Sequence, residues 1–253
     1  MTDTDPWQAL QQEWDRWRTA VRIATLWLRD DDACREGPAL DRLLQLAGNV
    51  PLGLAAIPAR IEPSLADTVA RYPAVRVLQH GFDHRNHAGP GEKKAEFGPH
   101  RPLAAMRSDV EEGWRTIGRW FPDRAVGIFV PPWNRIDPAL VHVLPDCGPG
   151  LLSVYGARAW DQRSDRVNTH VDIIDWRGDR GFVGEAAAVT ALCRHLQARR
   201  EGGADPDEPS GVLTHHRDHD PGCWAFLTRL FDCSLNHPAV RWLDPADLAR
   251  GDV

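Results

Sequence analysis

Short apolar runs alternate along this chain with amphipathic segments, and that alternation restricts its possible folds more than any other feature. Ile23–Leu28, Val50–Ile57, Val75–Leu78, Ala125–Val130, Leu151–Tyr155, Thr169–Trp176, Gly211–Leu213 and Val240–Leu243 read as strands. Between them, Pro38–Ala47, Pro63–Arg71, Leu103–Phe121, Pro138–Leu144, Gly184–Arg200 and Trp224–Leu235 read as helices, and Pro245–Arg250 as a terminal one. Val50–Ile57 is apolar on both faces, as in a strand covered on each side. About seven strand–helix alternations predict an α/β protein on a mostly parallel sheet or barrel.

At 253 residues the chain suffices for one substantial core, and a single domain is expected over 1–253. Residues 1–20 form an N-terminal helix in this reading, capped by Asp5 or Thr4, with Trp7, Leu10, Trp14 and Trp17 packed inward. Residues 201–210, rich in Gly, Pro and acids, read as a mobile linker within the domain, and Asn86–Pro102 as a long loop over a site. The formal net charge of -6 argues against a duplex nucleic-acid partner. Five cysteines without a Cys-x-x-Cys pair read as reduced structural thiols. No run approaches membrane-spanning length and Met1–Arg18 lacks an apolar leader, so a cytoplasmic protein without a membrane partner is expected. Oligomeric state is left open.

The unusual residues fall at predicted strand ends. Arg29-Asp30-Asp31-Asp32 collects three acids that repel one another unless a cation or an arginine joins them; an exposed acidic turn is the bland alternative. Gln79–His87 carries His80, His84 and His87 with Asp83, and Gly81 marks a sharp turn. Pro131-Pro132-Trp133-Asn134-Arg135 is a rigid aromatic loop. Asp172, Asp175 and Trp176 end another run, and His215-His216-Arg217-Asp218 ends the last cluster. In parallel α/β architectures the carboxyl ends of strands converge on one face, which carries the site. Two histidines and one carboxylate there leave an ion with open positions, so a bound water loses its proton near neutral pH. A second carboxylate can serve as base and a histidine opposite as acid. That set of groups is suited to metal-assisted hydrolysis of an amide or ester.

These residues, in this order, resemble the polysaccharide deacetylase family (the NodB-homology domain, carbohydrate esterase family 4), from about Ile23 to His216. The family's first motif, Thr-Phe-Asp-Asp-Gly, is similar to Arg29-Asp30-Asp31-Asp32-Ala33, making Asp31 the catalytic base and Asp32 a metal ligand. The second, His-Ser/Thr-x-x-His, resembles His80-Gly81-Phe82-Asp83-His84, making both histidines ligands. The third, Arg-x-Pro-Tyr, resembles Val130-Pro131-Pro132-Trp133, where Val130 stands in place of the arginine that braces the base. Arg29 or Arg135 is expected to substitute, and Arg135 is carried in the catalytic set.

The fourth motif, Asp-x-x-Asp-Trp, resembles Asp172 to Trp176; Asp175 then orients the acid and Trp176 walls the acetyl pocket. The fifth, Leu-x-His, resembles Leu213-Thr214-His215, with His215 as general acid. The resemblance implies a distorted (β/α) barrel of about seven strands, a divalent metal such as Zn2+, and deacetylation of an N-acetylated sugar or related small amide. A backbone N–H near Trp133 would hold the oxyanion. Pro132, Trp133, Asn134, Trp176, Asn86 and His87 are the candidate substrate contacts. Two rivals remain: a catalytically silent carbohydrate-binding protein on this fold, and a non-haem iron oxygenase using His216-Arg217-Asp218.

Overall fold

The structure, a computed structural model, describes residues 5–162 and 165–251. Its strands are β1 (Ala24–Ala33), β2 (Leu52–Ala56), β3 (Val75–His80), β4 (Ala125–Val130), β5 (Leu151–Leu152), β6 (Val171–Asp172), β7 (Ser210–Thr214) and β8 (Val240–Trp242). The helices are α1 (Pro6–Thr19), α2 (Pro38–Ala47), α3 (Pro63–Ala70), α4 (Leu103–Trp120), α5 (Pro138–Val141), α6 (Glu185–Glu201), α7 (Pro221–Leu235) and α8 (Pro245–Arg250). All strand pairings are parallel, in the order β5-β4-β3-β2-β1-β7-β6, with β8 beside the amino-terminal part of β1. Parallel bridges from Leu152 to Arg166 and from Tyr155 to Thr169 join the two ends of the sheet through the segment 166–172. The result is the expected distorted (β/α) barrel.

Local chemistry explains where the helices begin. Four Asp-Pro pairs open α1, α5, α7 and α8, each aspartate accepting a backbone N–H of the first turn. The carboxylate satisfies a donor the helix cannot, and proline carries the right φ while lacking an N–H to orphan. On α1, Trp7, Leu10, Trp14 and Trp17 are all buried, and the helix packs on α6. Glu13 of α1, itself buried, pairs with Arg200 at 2.7 Å. Trp14→Ala would cost about 3–5 kcal/mol through the cavity it leaves.

Two expectations are corrected. β1 does not stop at Leu28 but continues through all three acids to Ala33. Segment 201–210 does not behave as a linker: Asp205 and Glu208 are fully buried, Asp205 pairing with Arg158 at 2.9 Å. Glu208 accepts the backbone N–H groups of Arg158 and Asn168, so the acids fasten the segment to the barrel. All five cysteines are free thiols. No helix among the described residues is long and apolar enough to cross a membrane.

Candidate active site

The acidic end of β1 shows how three adjacent carboxylates are tolerated. Between Asp30 and Ala33 the pairing with β2 slips by one residue, since Leu54 and Ala56 are the partners, and Asp32 takes a positive φ of 72°. This bulge re-aims the chain, so Asp31 and Asp32 enter the same cleft while Asp30 turns away. Asp30 is buried, accepting from Thr214 Oγ1 at 2.6 Å and His216 N at 2.8 Å. Burial works to raise its carboxyl pKa, but the ion pair with His216 outweighs it and holds the group low, while Asp30 raises His216. The pair ties β1 to the end of β7, the strands that carry the candidate base and acid.

Arg29 forms a buried ion pair with Asp31: Nη2 donates to Oδ2 at 3.0 Å, and Nε lies 2.9 Å from Oδ1 in charge contact without a hydrogen bond. Arg29 is two residues back on the same strand face. Its other amino group donates to Ser153 Oγ at 2.8 Å, fixing the guanidinium in a buried slot. The bracing arginine is therefore Arg29, not Arg135. Arg135 lines the cleft mouth, but its guanidinium donates to the Lys94 carbonyl at 2.7 Å.

Asp32, His80 and His84 form a compact donor set. Asp32 Oδ1 lies 3.1 Å from His80 Nε2 and 3.3 Å from His84 Nε2, and the three donor atoms all lie within 4.8 Å of one another. An ion about 2.0–2.2 Å from each donor fits that triangle. His80 Nδ1 donates to the Val130 carbonyl at 3.0 Å, which fixes its tautomer and leaves the Nε2 lone pair facing the site. Burial opposes a charged Asp32 and a charged His80, yet a proton shared between them at 3.1 Å holds the Asp32 carboxyl far below the ordinary range and raises His80; a bound ion would take that proton's place on Nε2. Burial, with His80 beside it, brings His84 down to about 4, so its imidazole is neutral and available as a ligand at pH 7. The residues present suit a divalent ion.

The loop that places His84 is shaped from an unexpected side. Glu96, fully buried, accepts the backbone N–H groups of Phe82, Asp83 and His84, the shortest at 2.8 Å from Asp83 N. Burial and the nearby Asp83 side chain push its carboxyl up to about 7. Gly81 has a φ of +57°, and a Cβ there would collide with the Glu96 carboxylate and with Pro132, 2.7 Å away. His84 itself has a φ of 57° and its ring packs on Trp133 at 4.5 Å.

Across the cleft, His215 Nε2 lies 3.9 Å from Asp31 Oδ2, and Trp176 stands edge-on to the ring at 4.6 Å. Of the two aspartates of the fourth motif, Asp172 and not Asp175 shares the cleft with His215. Burial raises the Asp172 pKa while His215 draws it back, and Trp176 Nε1 donates to Asp172 at 2.8 Å. Asp175 instead accepts the Arg177 and Gly178 backbone N–H groups, shaping its own turn. The cleft, about 550 Å³, is lined by Asp31, Asp32, His80, His84, Lys94, Trp133, Asn134, Arg135, Asp172, Trp176, Arg180 and His215.

Of the expected substrate contacts, Trp133, Asn134 and Trp176 lie in this wall, whereas Pro132, Asn86 and His87 do not. Asn86 accepts the Ala88 and Ala95 N–H groups, bracing the long loop, and His87 N donates to the Ala95 carbonyl. Asp172, Lys94 and Arg180 line the cleft and Glu96 backs its loop without being candidates in the sequence; only Asp172 has a signal there, in a motif whose resemblance selects Asp175. His216 is engaged by Asp30 and Asp218 by Arg180, so they do not converge as an iron-binding half-triad.

A second group, His170, His195 and Glu208, also gathers metal-type donors, near the amino ends of β6 and β7. Its geometry does not suit an ion. The two rings stack at 3.4 Å with planes only 16° apart, so their in-plane lone pairs run side by side. Gly211 N donates to His170 Nδ1 at 2.9 Å, which leaves the ring proton on Nε2, facing Glu208 at 3.3 Å.

No protein-family model matches the chain, and no curated protein sequence does. Solved structures do match. A family 4 acetyl xylan esterase from Clostridium thermocellum, in complex with a cobalt ion, is 14% identical over 88% of this chain and 89% of its own, with a TM-score of 0.56. A peptidoglycan deacetylase from Bacillus subtilis is 14% identical over 91% and 92%, with a TM-score of 0.54. A carbohydrate esterase family 4 esterase from Streptococcus mutans is 12% identical over 92% and 90%, with a TM-score of 0.57. The chain thus has the fold of the polysaccharide deacetylases and family 4 carbohydrate esterases, as its motifs imply.

Proposed function

We propose that this chain is a metal-dependent hydrolase that removes an acetyl group from an N-acetylated sugar or a related small amide. The observation that carries the reading is one cleft in which Asp31 and His215 face each other 3.9 Å apart, beside the Asp32, His80 and His84 donor set. Zn2+ suits two imidazoles and a carboxylate, and the esterase above holds the similar ion cobalt. When bound, such an ion lowers the pKa of a coordinated water and polarises the acyl carbonyl.

The chain's own groups do the rest. Arg29 keeps Asp31 aimed into the cleft, and Asp31 accepts the proton of the attacking water. The Trp133 backbone N–H makes no hydrogen bond among the described residues and is available to the developing oxyanion. As the C–N bond breaks, His215 Nε2 donates a proton to the departing amine, and Asp172 stabilises the charged ring. Trp133 and Trp176 form apolar walls for the acyl group.

A silent binding protein drew its support from the absent motif-three arginine; Arg29 fills that role from β1. The test is acetate release from a panel of N-acetylated sugars by zinc-loaded protein. Asp31→Asn is expected to lower kcat by about 10²–10⁴, and His215→Ala comparably. Wild-type rates in both variants would refute the reading.

A further inference from the structure

A second pocket of about 430 Å³ opens beside the cleft, and Asp32 lines both. Its walls come from the carboxyl ends of three adjacent strands: Cys34 and Arg35 after β1, Arg60 after β2, and Arg217 after β7. All three arginines are exposed at the rim of this concavity, facing solvent as well as the pocket.

Arg35 has a partner, Glu62, at 3.5 Å. Arg60 and Arg217 have no ion pair and no side-chain hydrogen bond among the described residues, though most arginines of this chain do. Two guanidiniums without a partner at one concavity offer an anion charge and hydrogen-bond donors that no carboxylate of the chain takes up. The same walls carry Asp32, Glu36 and Glu62; Glu62 is taken up by Arg35 and Asp32 by the two histidines, and Arg60 and Arg217 are left free to meet an anion. Guanidinium forks match the planar oxygens of a carboxylate or the face of a phosphate. The volume is enough for such a group with part of a sugar ring.

We propose that this pocket binds an anionic group, carboxylate or phosphate, carried by the acylated substrate, held by Arg60 and Arg217 with Arg35 at its side. The inference rests on the deacetylase reading for the identity of the acyl sugar, but not for the binding of the anion. The reacting amide sits on the cleft side of Asp32 and the anion on the other. One ligand thus bridges the two pockets.

The experiment is titration calorimetry on zinc-loaded protein with N-acetylglucosamine, its 6-phosphate and N-acetylglucosaminuronic acid, with acetate release measured alongside. At least one anionic sugar is expected to bind about tenfold or more tightly than the neutral one, an advantage that shrinks with added salt. The tighter of the two identifies phosphate or carboxylate. Arg60→Ala/Arg217→Ala, checked for an unchanged melting transition, is expected to erase that preference. A more conservative Arg60→Gln/Arg217→Gln pair guards against misfolding. Equal binding of all three sugars, or a preference that survives both double variants, overturns the pocket. A preference that is present and erased, without acetate release from any sugar, supports the pocket while defeating the deacetylase reading.

Discussion

At the scale of single residues, the site depends on how Asp31 is held. A carboxylate this deeply buried, at 3% exposure, requires a charged partner, and Arg29 supplies the charge along both oxygens and the direction through its Nη2 hydrogen bond. Lysine keeps the charge but cannot span both oxygens in one plane. Arg29→Lys should therefore lower kcat by about tenfold or more with little change in KM, because it disturbs a group used only in the chemical step. Arg135→Ala should leave kcat close to wild type, since that guanidinium binds a loop carbonyl. Steady-state kinetics on the two variants decide it; the reverse pattern would restore Arg135 to the catalytic set. The candidate base and acid, Asp31 and His215, and the donor set of Asp32, His80 and His84 are legible because each occupies a distinctive position at or just after a strand end. The brace was ambiguous because two arginines flank the motifs, and only the fold reveals which one lies on Asp31's face. Asp172 and Asp175 are separated by two residues on an irregular stretch, where strand alternation no longer tells which one points inward.

At the scale of elements, a bulge and a turn set the donor geometry. The bulge in β1 lets two successive carboxylates share the cleft, against the alternation a regular strand imposes. A run of three aspartates carries no mark of where a strand slips, so the apolar pattern ends at Leu28 while the strand runs on to Ala33. The turn Gly81–His84 is wrapped around the Glu96 carboxylate, a contact made across a loop that shows no periodicity to read. Gly81→Ala would force a Cβ into Glu96 and Pro132 at a backbone angle that L residues avoid. It should weaken zinc affinity by about 10–100-fold, the range for lost support around a ligand. Competition with a chromophoric chelator measures this, and unchanged affinity would show that the turn tolerates the side chain. Helix starts, by contrast, are legible at α1, α5 and α8, where an aspartate precedes a proline; α7 carries the same signal and begins at Pro221, three residues before the expected Trp224.

At the scale of the molecule, the barrel divides its polar groups between two ends. The catalytic face gathers the titratable groups of the cleft, and the opposite end holds the stacked His170 and His195, which burial drives down to about 3 and about 2 from 6.5. Both stay neutral when folded, whereas the unfolded chain protonates them below about 6.5. Their contribution to stability is complete above that pH and is lost as pH falls toward 3, at about 1.4 kcal/mol per unit for each. Glu96 and Glu208, both raised, act in the opposite sense over part of the interval, so the contribution is isolated by substitution. The urea-unfolding free energy should fall more between pH 7.0 and 5.0 in the wild type than in His195→Gln; identical losses would rule the histidine out as a source. The alternation of strands and helices made the architecture legible, while this rear cluster, assembled from segments far apart in sequence, was not. The most direct measurement on the whole protein is its metal content by mass spectrometry, after purification without a histidine tag, beside His80→Ala/His84→Ala. About one zinc or similar divalent ion per chain, absent from the double variant, is the result expected of a single Asp32, His80 and His84 site. A wild type that holds no metal even after zinc is supplied would contradict the hydrolase reading.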